Sequence, residues 1–403
     1  MKLGELIEIK HGYAFSGEHI VEDDNGIVLV TPGNFRIGGG FKEEKCKFFD
    51  GEIPADYVLK EGDFIVTMTD LSKTIDTLGY SALVPKSKRT YLHNQRIGLV
   101  TFKSDECDRG YIYWLMRTRE YQRSIANTST GATVHHTSPK KIYDYDLEVP
   151  PLSTQHRIAT ILSRYDSLIE NYQKQIKLLE EAAQRLYKEW FVDLRFPGHE
   201  NTKIVDGVPE GWEQKKLSDV CETVGGGTPS TKVPAYYKGG RIKWVTPTDI
   251  TRNNCICLLD TDKKITEEGL RNSSTKMVPA GTILMTSRAS VGYFGIADFE
   301  VCTNQGFISC IPIPNMQMYL LFNLMSRVDE IRKKAGGSTY LEISKSVFRN
   351  FDIVCPSEII LLQFQDKASL VLKKEKTLSL QLRLLTEARD RLLTKLMNGE
   401  ITV

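Results

Sequence analysis

The sequence predicts an α+β fold: two β-rich modules in pseudo-twofold arrangement, separated by two long helices that form an antiparallel coiled coil. Three observations predict it. The chain repeats itself at a domain-sized period, each half opens with short β-type runs broken by Gly, Pro and Asn, and each half closes on a heptad pattern of apolar residues.

The repeat lies at an offset of about 205–220 residues. Lys2-Leu3 returns as Lys216-Leu217, Val30-Thr31-Pro32 as Val245-Thr246-Pro247, and Asn94-Gln95 as Asn304-Gln305. Gly131-Ala132-Thr133 returns as Gly337-Ser338-Thr339, and Val149-Pro150-Pro151 as Val354-Cys355-Pro356. The order is kept and the drift in offset marks loop insertions, so one module has been duplicated. The chain therefore divides into 1–150 for the first module and 151–196 for its helix, then 197–356 and 357–403 for the second pair.

Strands are expected at Ile27–Val30, Phe64–Thr67, Ile97–Phe102, Ile242–Val245, 282–285 and 307–311, with helices over 110–126 and 318–335. Pro150-Pro151 stops the first module, and Ser153 is a candidate N-cap for the first long helix. One apolar seam of that helix is Ile158, Tyr165, Tyr172, Leu179 and Leu186; the other is Leu162, Ile169, Ile176, Ala183 and Trp190. After Pro356 and the candidate cap Ser357, one seam is again complete: Phe364, Val371, Leu378, Leu385 and Leu392. The other, Ala368, Leu382 and Leu396, is broken by Glu375 and Arg389. Two matched helices following two matched modules should pair. A twofold across their axes makes the pair antiparallel, with the modules at opposite ends of a rod roughly 50 Å long.

Composition narrows the function. The chain has 403 residues, 41% hydrophobic and 26% charged, with 53 basic and 51 acidic side chains giving +2. That is an ordinary globular composition and favours no partner by bulk charge. The eight Cys are unevenly spaced without C-x-x-C, so neither a disulfide framework nor a zinc site is expected. The N-terminal residues lack an apolar core for a signal peptide, and no apolar run approaches a membrane span, so a cytoplasmic location is expected. There is no G-x-x-x-x-G-K-[ST], no G-x-G-x-x-G before a helix and no H-E-x-x-H among the seven His. Pro150-Pro151 lacks the preceding Asp or Asn and following aromatic that clamp a flipped adenine. Such a chain binds rather than catalyses. Two modules on a spacer suit a bipartite ligand, and DNA is the natural candidate. Residues 225–240 supply Thr, Ser, Lys and Tyr for phosphates and base edges. Residues 1–150 carry 19 basic and 22 acidic side chains, net −3, so any DNA face there is a local patch.

These residues resemble the specificity subunits of type I restriction–modification systems. The second module carries Gly211-Trp212, GGGTPST at 225–231, YYKGG at 236–240, IKWVTPTDI at 242–250, SRASVG at 287–292 and TNQ at 303–305. The first carries GYAFSG at 12–17, GDFIVTMT at 62–69 and Asn94-Gln95-Arg96. The run P-P-L-x-x-Q-x-x-I-A-x-I-L at 150–162 is similar to the family's helical region. The resemblance implies two target recognition domains, each reading one half of a split target in double-stranded DNA. It implies helices that set the spacing and dock two methyltransferase subunits, with restriction/translocase subunits completing the enzyme. It implies no cofactor in this chain, S-adenosylmethionine in the methyltransferase, and ATP and Mg in the restriction subunit. The competing classes are a DNA methyltransferase or nuclease in its own right, and a protein-binding scaffold.

Base-edge candidates are the residues in which the modules differ. In the first module these are Tyr13, Ser16, Asn34, Arg36, Thr69, Lys73 and Arg96. In the second they are Thr228, Ser230, Lys232, Tyr236, Lys243, Thr248, Asp249, Arg288 and Ser290. Thr246-Pro247 and Asn304-Gln305 occur in both modules and are read as scaffold.

Overall fold

A computed structural model describes every residue of the chain except Lys45, Lys73, Ser104, Asn254, Ser338 and Thr339. The chain divides into two units, residues Met1–Leu168 with Leu385–Val403, and residues Ile169–Leu384.

The first unit holds a four-stranded antiparallel sheet in the order Ile7–His11, Ile97–Phe102, Phe64–Thr67, Ser81–Leu83. A second, five-stranded sheet runs Ile20–Val21, Lys47–Phe49, Ile27–Val30, Thr90–His93, Val58–Leu59. Its one parallel pair is Ile27–Val30 with Thr90–His93. Val28, Val30, Phe35, Ile65, Ala82 and Ile97 join the two sheets in one core. Another core packs Val66 and Val100 against Tyr111, Trp114, Tyr121 and the long helices.

The second unit repeats the plan. Its five-stranded sheet is ordered Cys221–Gly225, Phe307–Pro312, Ile283–Thr286, Phe294–Ala297, Cys257–Leu258. Its four-stranded sheet is ordered Lys263–Ile265, Ile242–Val245, Val301–Thr303, Met277–Val278. Here too Ile242–Val245 and Val301–Thr303 run parallel, at the positions equivalent to the parallel pair of the first unit. The expected strand at 282–285 lies one residue further on. The two expected shorter helices are each split. The first breaks into Arg109–Leu115 and Arg119–Asn127 because the Thr118 side chain caps the second piece, accepting the Tyr121 N–H. The other breaks at Arg327 into Gln317–Ser326 and Val328–Lys334.

The long helices span Leu152–Tyr187, closed by a π turn at Lys188–Val192, and Glu358–Met397. Ser357 stands just before its helix, as expected, but Ser153 lies inside the first turn. The Pro151 carbonyl takes the capping place, accepting the N–H groups of Thr154 and Gln155. In the first unit Ile158 and Leu162 pack with Leu393 and Leu396, and Asp166 pairs with Arg389. In the second Glu180 faces Glu375, and Tyr187 and Trp190 lie against Phe364 at 6.2 and 5.9 Å between ring centres. Within each unit the residue numbers rise along one helix as they fall along the other, so the pairing is antiparallel.

The seam register needs correction. Leu162, Ile169, Ile176, Ala183 and Trp190 are all buried. Of the other predicted stripe only Ile158 is buried, while Tyr165, Tyr172, Leu179 and Leu186 are half-buried. The flanking stripe is displaced by one residue and includes Ala159, Asp166, Glu180 and Tyr187, two of them charged. On the C-terminal helix Phe364 and Leu378 are buried, with Val371, Leu385 and Leu392 half-buried. Glu375, read as a break, is 1% exposed and sits in the stripe with Ala368 and Leu396. A heptad search on apolar character passes over charged residues whose partners lie on another element.

Candidate nucleic-acid interface

In the first unit one face gathers four chain segments. Gly12 passes so close to the 93–94 backbone that a Cβ there would come within 2.1 Å of the Asn94 carbonyl oxygen. Tyr13 N–H then donates to His93 O at 2.8 Å, and Gln95 N–H donates to Tyr13 O at 2.9 Å. Met68 N–H donates to Arg96 O at 2.9 Å, and Thr137 N–H to Met68 O at 3.0 Å. Thr69 Oγ1 lies 3.1 Å from His136 Nδ1. The side chains left exposed are Tyr13, Gln95, Arg96 and His136.

The second unit builds a matching face on three of these four backbone bonds; in place of the Gln95 bond, Gly227 O accepts the Trp244 indole N–H at 3.0 Å. A Cβ on Gly226 would come within 1.9 Å of Asn304 O. Gly227 N–H donates to Thr303 O at 2.9 Å, Ser287 N–H to Gly306 O at 2.7 Å, and Ile343 N–H to Ser287 O at 3.0 Å. Where the first unit pairs Thr69 with His136, the second pairs Arg288 with Glu342, Nε to Oε2 at 3.5 Å. Ala289 beside it holds a left-handed backbone at φ 61°, a strained conformation of the kind that aims loop side chains. Exposed here are Thr228, Gln305, Arg288, Ser290 and Glu342.

Several predicted readers are structural. Asn34 is 1% exposed and accepts the Thr31 N–H at 2.9 Å and hydroxyl at 3.2 Å. Asp249, 9% exposed, accepts the Thr246 N–H and hydroxyl, both at 2.7 Å, and the Asp262 N–H. The two occupy the same position in the repeat. Thr-Pro-x-Asn/Asp is a capping box, and that spacing was readable as one. Thr69 is 3% exposed and spent on His136. Arg36 donates from Nε to Phe41 O and pairs with Glu44 at 3.4 Å. Lys243 lies 3.5 Å from Asp260 and over the Phe299 ring. Lys73 lies outside the described residues. Tyr13 and Arg96 in one face, and Thr228, Arg288 and Ser290 in the other, are brought together. Ser16, Ser230, Lys232 and Thr248 are exposed and Tyr236 half-buried, without a contact that draws them into either face. Thr246 and Asn304 serve as scaffold, Asn304 Oδ1 accepting the Gly306 N–H at 2.8 Å. Gln305 does not follow them, since it is exposed. His136 and Glu342 were missed; the repeat of a Gly-Ala/Ser-Thr loop in both modules was their one sequence signal.

Charged groups tie each unit's module to its long helices, away from the face. Arg117, 4% exposed at its side chain, donates to Gly38 O and Tyr113 Oη, both at 2.9 Å, and pairs with Asp166. Asp166 also takes Arg389 Nη1 at 2.6 Å. In the second unit Glu180 accepts the Ile256 N–H at 2.8 Å and Glu375 the Cys257 N–H at 3.0 Å. Burial, then the facing Glu375 carboxyl, pushes Glu180 up to about 7, and burial raises Glu375 as well. Among the described residues no group of three or more His, Cys, Asp or Glu could hold a metal ion. No described helix is long and apolar enough to cross a membrane.

Comparison with known proteins agrees with this duplication. The family model for the type I restriction modification DNA specificity domain matches residues 1–181 and again 209–369. The chain is 28% identical over 351 residues to the type I restriction enzyme HindI specificity subunit of Haemophilus influenzae, covering 70% of this chain and 75% of that protein. It is 38% identical over 153 residues to the MjaIX specificity subunit of Methanocaldococcus jannaschii, a match spanning 37% of this chain and 35% of that protein. The crystal structure of a type I restriction–modification S subunit from M. genitalium shares the fold, with a TM-score of 0.59 at 16% identity over 98% of this chain and 95% of that one. Carrying the domain twice, the protein belongs to the type I restriction modification DNA specificity family, as a specificity subunit and not as an enzyme in its own right.

Proposed function

We propose that the two exposed faces read the two halves of a split target in double-stranded DNA, and that the paired helices set the gap between those halves. The observation that carries this reading is the repeated face, with three matching backbone bonds in both units and different side chains on them. A shared scaffold with divergent tips suits two different base sequences on one kind of duplex. Tyr13, Arg96, Thr228, Arg288 and Ser290 are the readers it favours.

The chemistry belongs to partners: adenine methyltransferase subunits that bring S-adenosylmethionine, and restriction/translocase subunits that use ATP and Mg. Apolar side chains left open on the long helices support docking of the former; Leu168, Leu178, Leu370 and Leu384 are 44–65% exposed. A cytoplasmic location follows from such partners and from a DNA ligand.

Two assays on purified components test the reading. Binding of a random-sequence duplex should weaken steeply and log-linearly with salt, because each neutralised phosphate releases a counterion. Methyl transfer to DNA should require the added methyltransferase subunit. Salt-independent binding, or transfer by this chain alone, would contradict it.

A further inference from the structure

Gln95 and Gln305 occupy one position of the repeat. Each stands at the middle of a turn whose two neighbours are fixed. Asn94 Oδ1 accepts the Arg96 N–H at 3.0 Å and Asn304 Oδ1 the Gly306 N–H at 2.8 Å. Arg96 O and Gly306 O each accept a backbone N–H from the neighbouring loop. The Asn and the third residue therefore hold the turn, and the Gln side chain projects outward from it. The scaffold does not explain why the residue is Gln in both modules. Gln305 Oε1 accepts the Thr228 hydroxyl, but the residue equivalent to Thr228, two after the tightly packed glycine, is Ala14 in the first module. The bond is not shared, yet the Gln is.

Across the two faces the other exposed side chains differ: Tyr13, Arg96 and His136 on one, Thr228, Arg288, Ser290 and Glu342 on the other. A residue that is exposed and identical in both modules serves something both halves of a ligand have in common. On DNA that is the backbone, since the bases of the two halves differ. The chemistry agrees. Thr228 occupies the carbonyl oxygen of Gln305, leaving the two N–H donors for an acceptor, and phosphate oxygens are acceptors only. Arg96, exposed and next to Gln95 in sequence, would meet an anion there with positive charge, whereas Arg288, whose Cβ lies beside Gly306, is already paired with Glu342. We infer that Gln95 and Gln305 are sequence-independent anchors, each donating its side-chain amide to a backbone phosphate in its half of the target. The inference rests on the DNA reading above and adds a division of labour within each face: a common clamp beside divergent readers.

The test uses the assembly with methyltransferase subunits, in wild type, Gln95→Ala, Gln305→Ala and the double variant. Affinity for a random-sequence duplex is measured across a salt series, and the methylated motif is read by sequencing. Each single variant should bind at least about tenfold more weakly at every salt, the order expected for one hydrogen bond to a charged group. The slope of log affinity against log salt should not change, because a neutral amide displaces no counterion. The motif should stay the same. Gln305→Glu keeps the size but adds repulsion, so it should bind more weakly than Gln305→Ala, most of all at low salt. A motif altered in one half would make the Gln a base reader and overturn the inference. So would unchanged affinity, or loss of assembly with the methyltransferase at normal duplex affinity, which would mark the surface as a protein dock. Failure of the wild-type assembly to bind duplex would instead sink the DNA reading itself, and it shows in the wild-type arm alone.

Discussion

Glu180 and Glu375 sit where a coiled coil expects aliphatic side chains, and they face one another. Among the described residues no arginine answers them as Arg117 and Arg389 answer Asp166. Their acceptors are filled by the Ile256 and Cys257 N–H groups. The other titratable groups against the pair are the Cys255 and Cys257 thiols, both raised by burial, while nearby Lys376 is paired with Asp298. The pair is therefore stable as long as a proton is shared. Glu180 moves from 4.5 in the unfolded chain to about 7, so the folded state holds the proton more tightly. That contribution is complete below 4.5 and is lost as the pH rises through about 7. Glu180→Gln removes the penalty of double ionisation. Above that pH it should raise the melting temperature of the second unit by roughly 2–4 °C, an effect of order 1 kcal/mol in a domain of this size. Near pH 4.5 it should change little. Thermal unfolding across pH checks this, and an unchanged difference between variant and wild type at the two ends of the range would refute it. Glu375 and Arg389 stood out in the sequence as breaks in a seam. Their partners Glu180 and Asp166 did not, because they lie one position off the apolar stripe and their pairing depends on residues far away in the chain.

The long helices show what periodicity can and cannot give. The stripe Leu162, Ile169, Ile176, Ala183 and Trp190 was readable because every member is apolar and every member is buried. The companion stripe was misplaced by one residue because Tyr165, Tyr172, Leu179 and Leu186 look better to an apolar count than Asp166 and Glu180 do. Burial sets up a stability contrast along this helix. Ile176 is 4% exposed, whereas Leu178 is 48% exposed. Ile176→Ala should cost about 2–5 kcal/mol by loss of buried surface and creation of a cavity. Leu178→Ala should stay within about 0.5 kcal/mol. Chemical denaturation of the two variants separates them, and comparable losses would place the seam elsewhere. The six expected strands match almost residue by residue, but others, among them Ile7–His11, Thr90–His93, Cys221–Gly225 and Phe294–Ala297, went unread. The capping boxes at Thr31–Asn34 and Thr246–Asp249 were equally visible, but their polar ends were mistaken for readers of DNA.

For the whole molecule, duplication was the most legible feature, and it carried the fold: two main sheets per unit, a parallel pair at the equivalent place in each, and one long helix after each module. The candidate faces were legible only in part. Tyr13, Arg96, Thr228, Arg288 and Ser290 were found from residue type, whereas His136, Glu342 and the exposure of Gln95 and Gln305 depend on how distant loops meet. If each module reads its own half of the target, exchanging one module should rewrite one half alone. The most direct test replaces residues 212–350 with the corresponding module of another family member and reads the methylated motif by sequencing after assembly with the methyltransferase. One half of the motif should change while the other half is retained. A motif altered in both halves, or in neither, would contradict independent reading by the two modules.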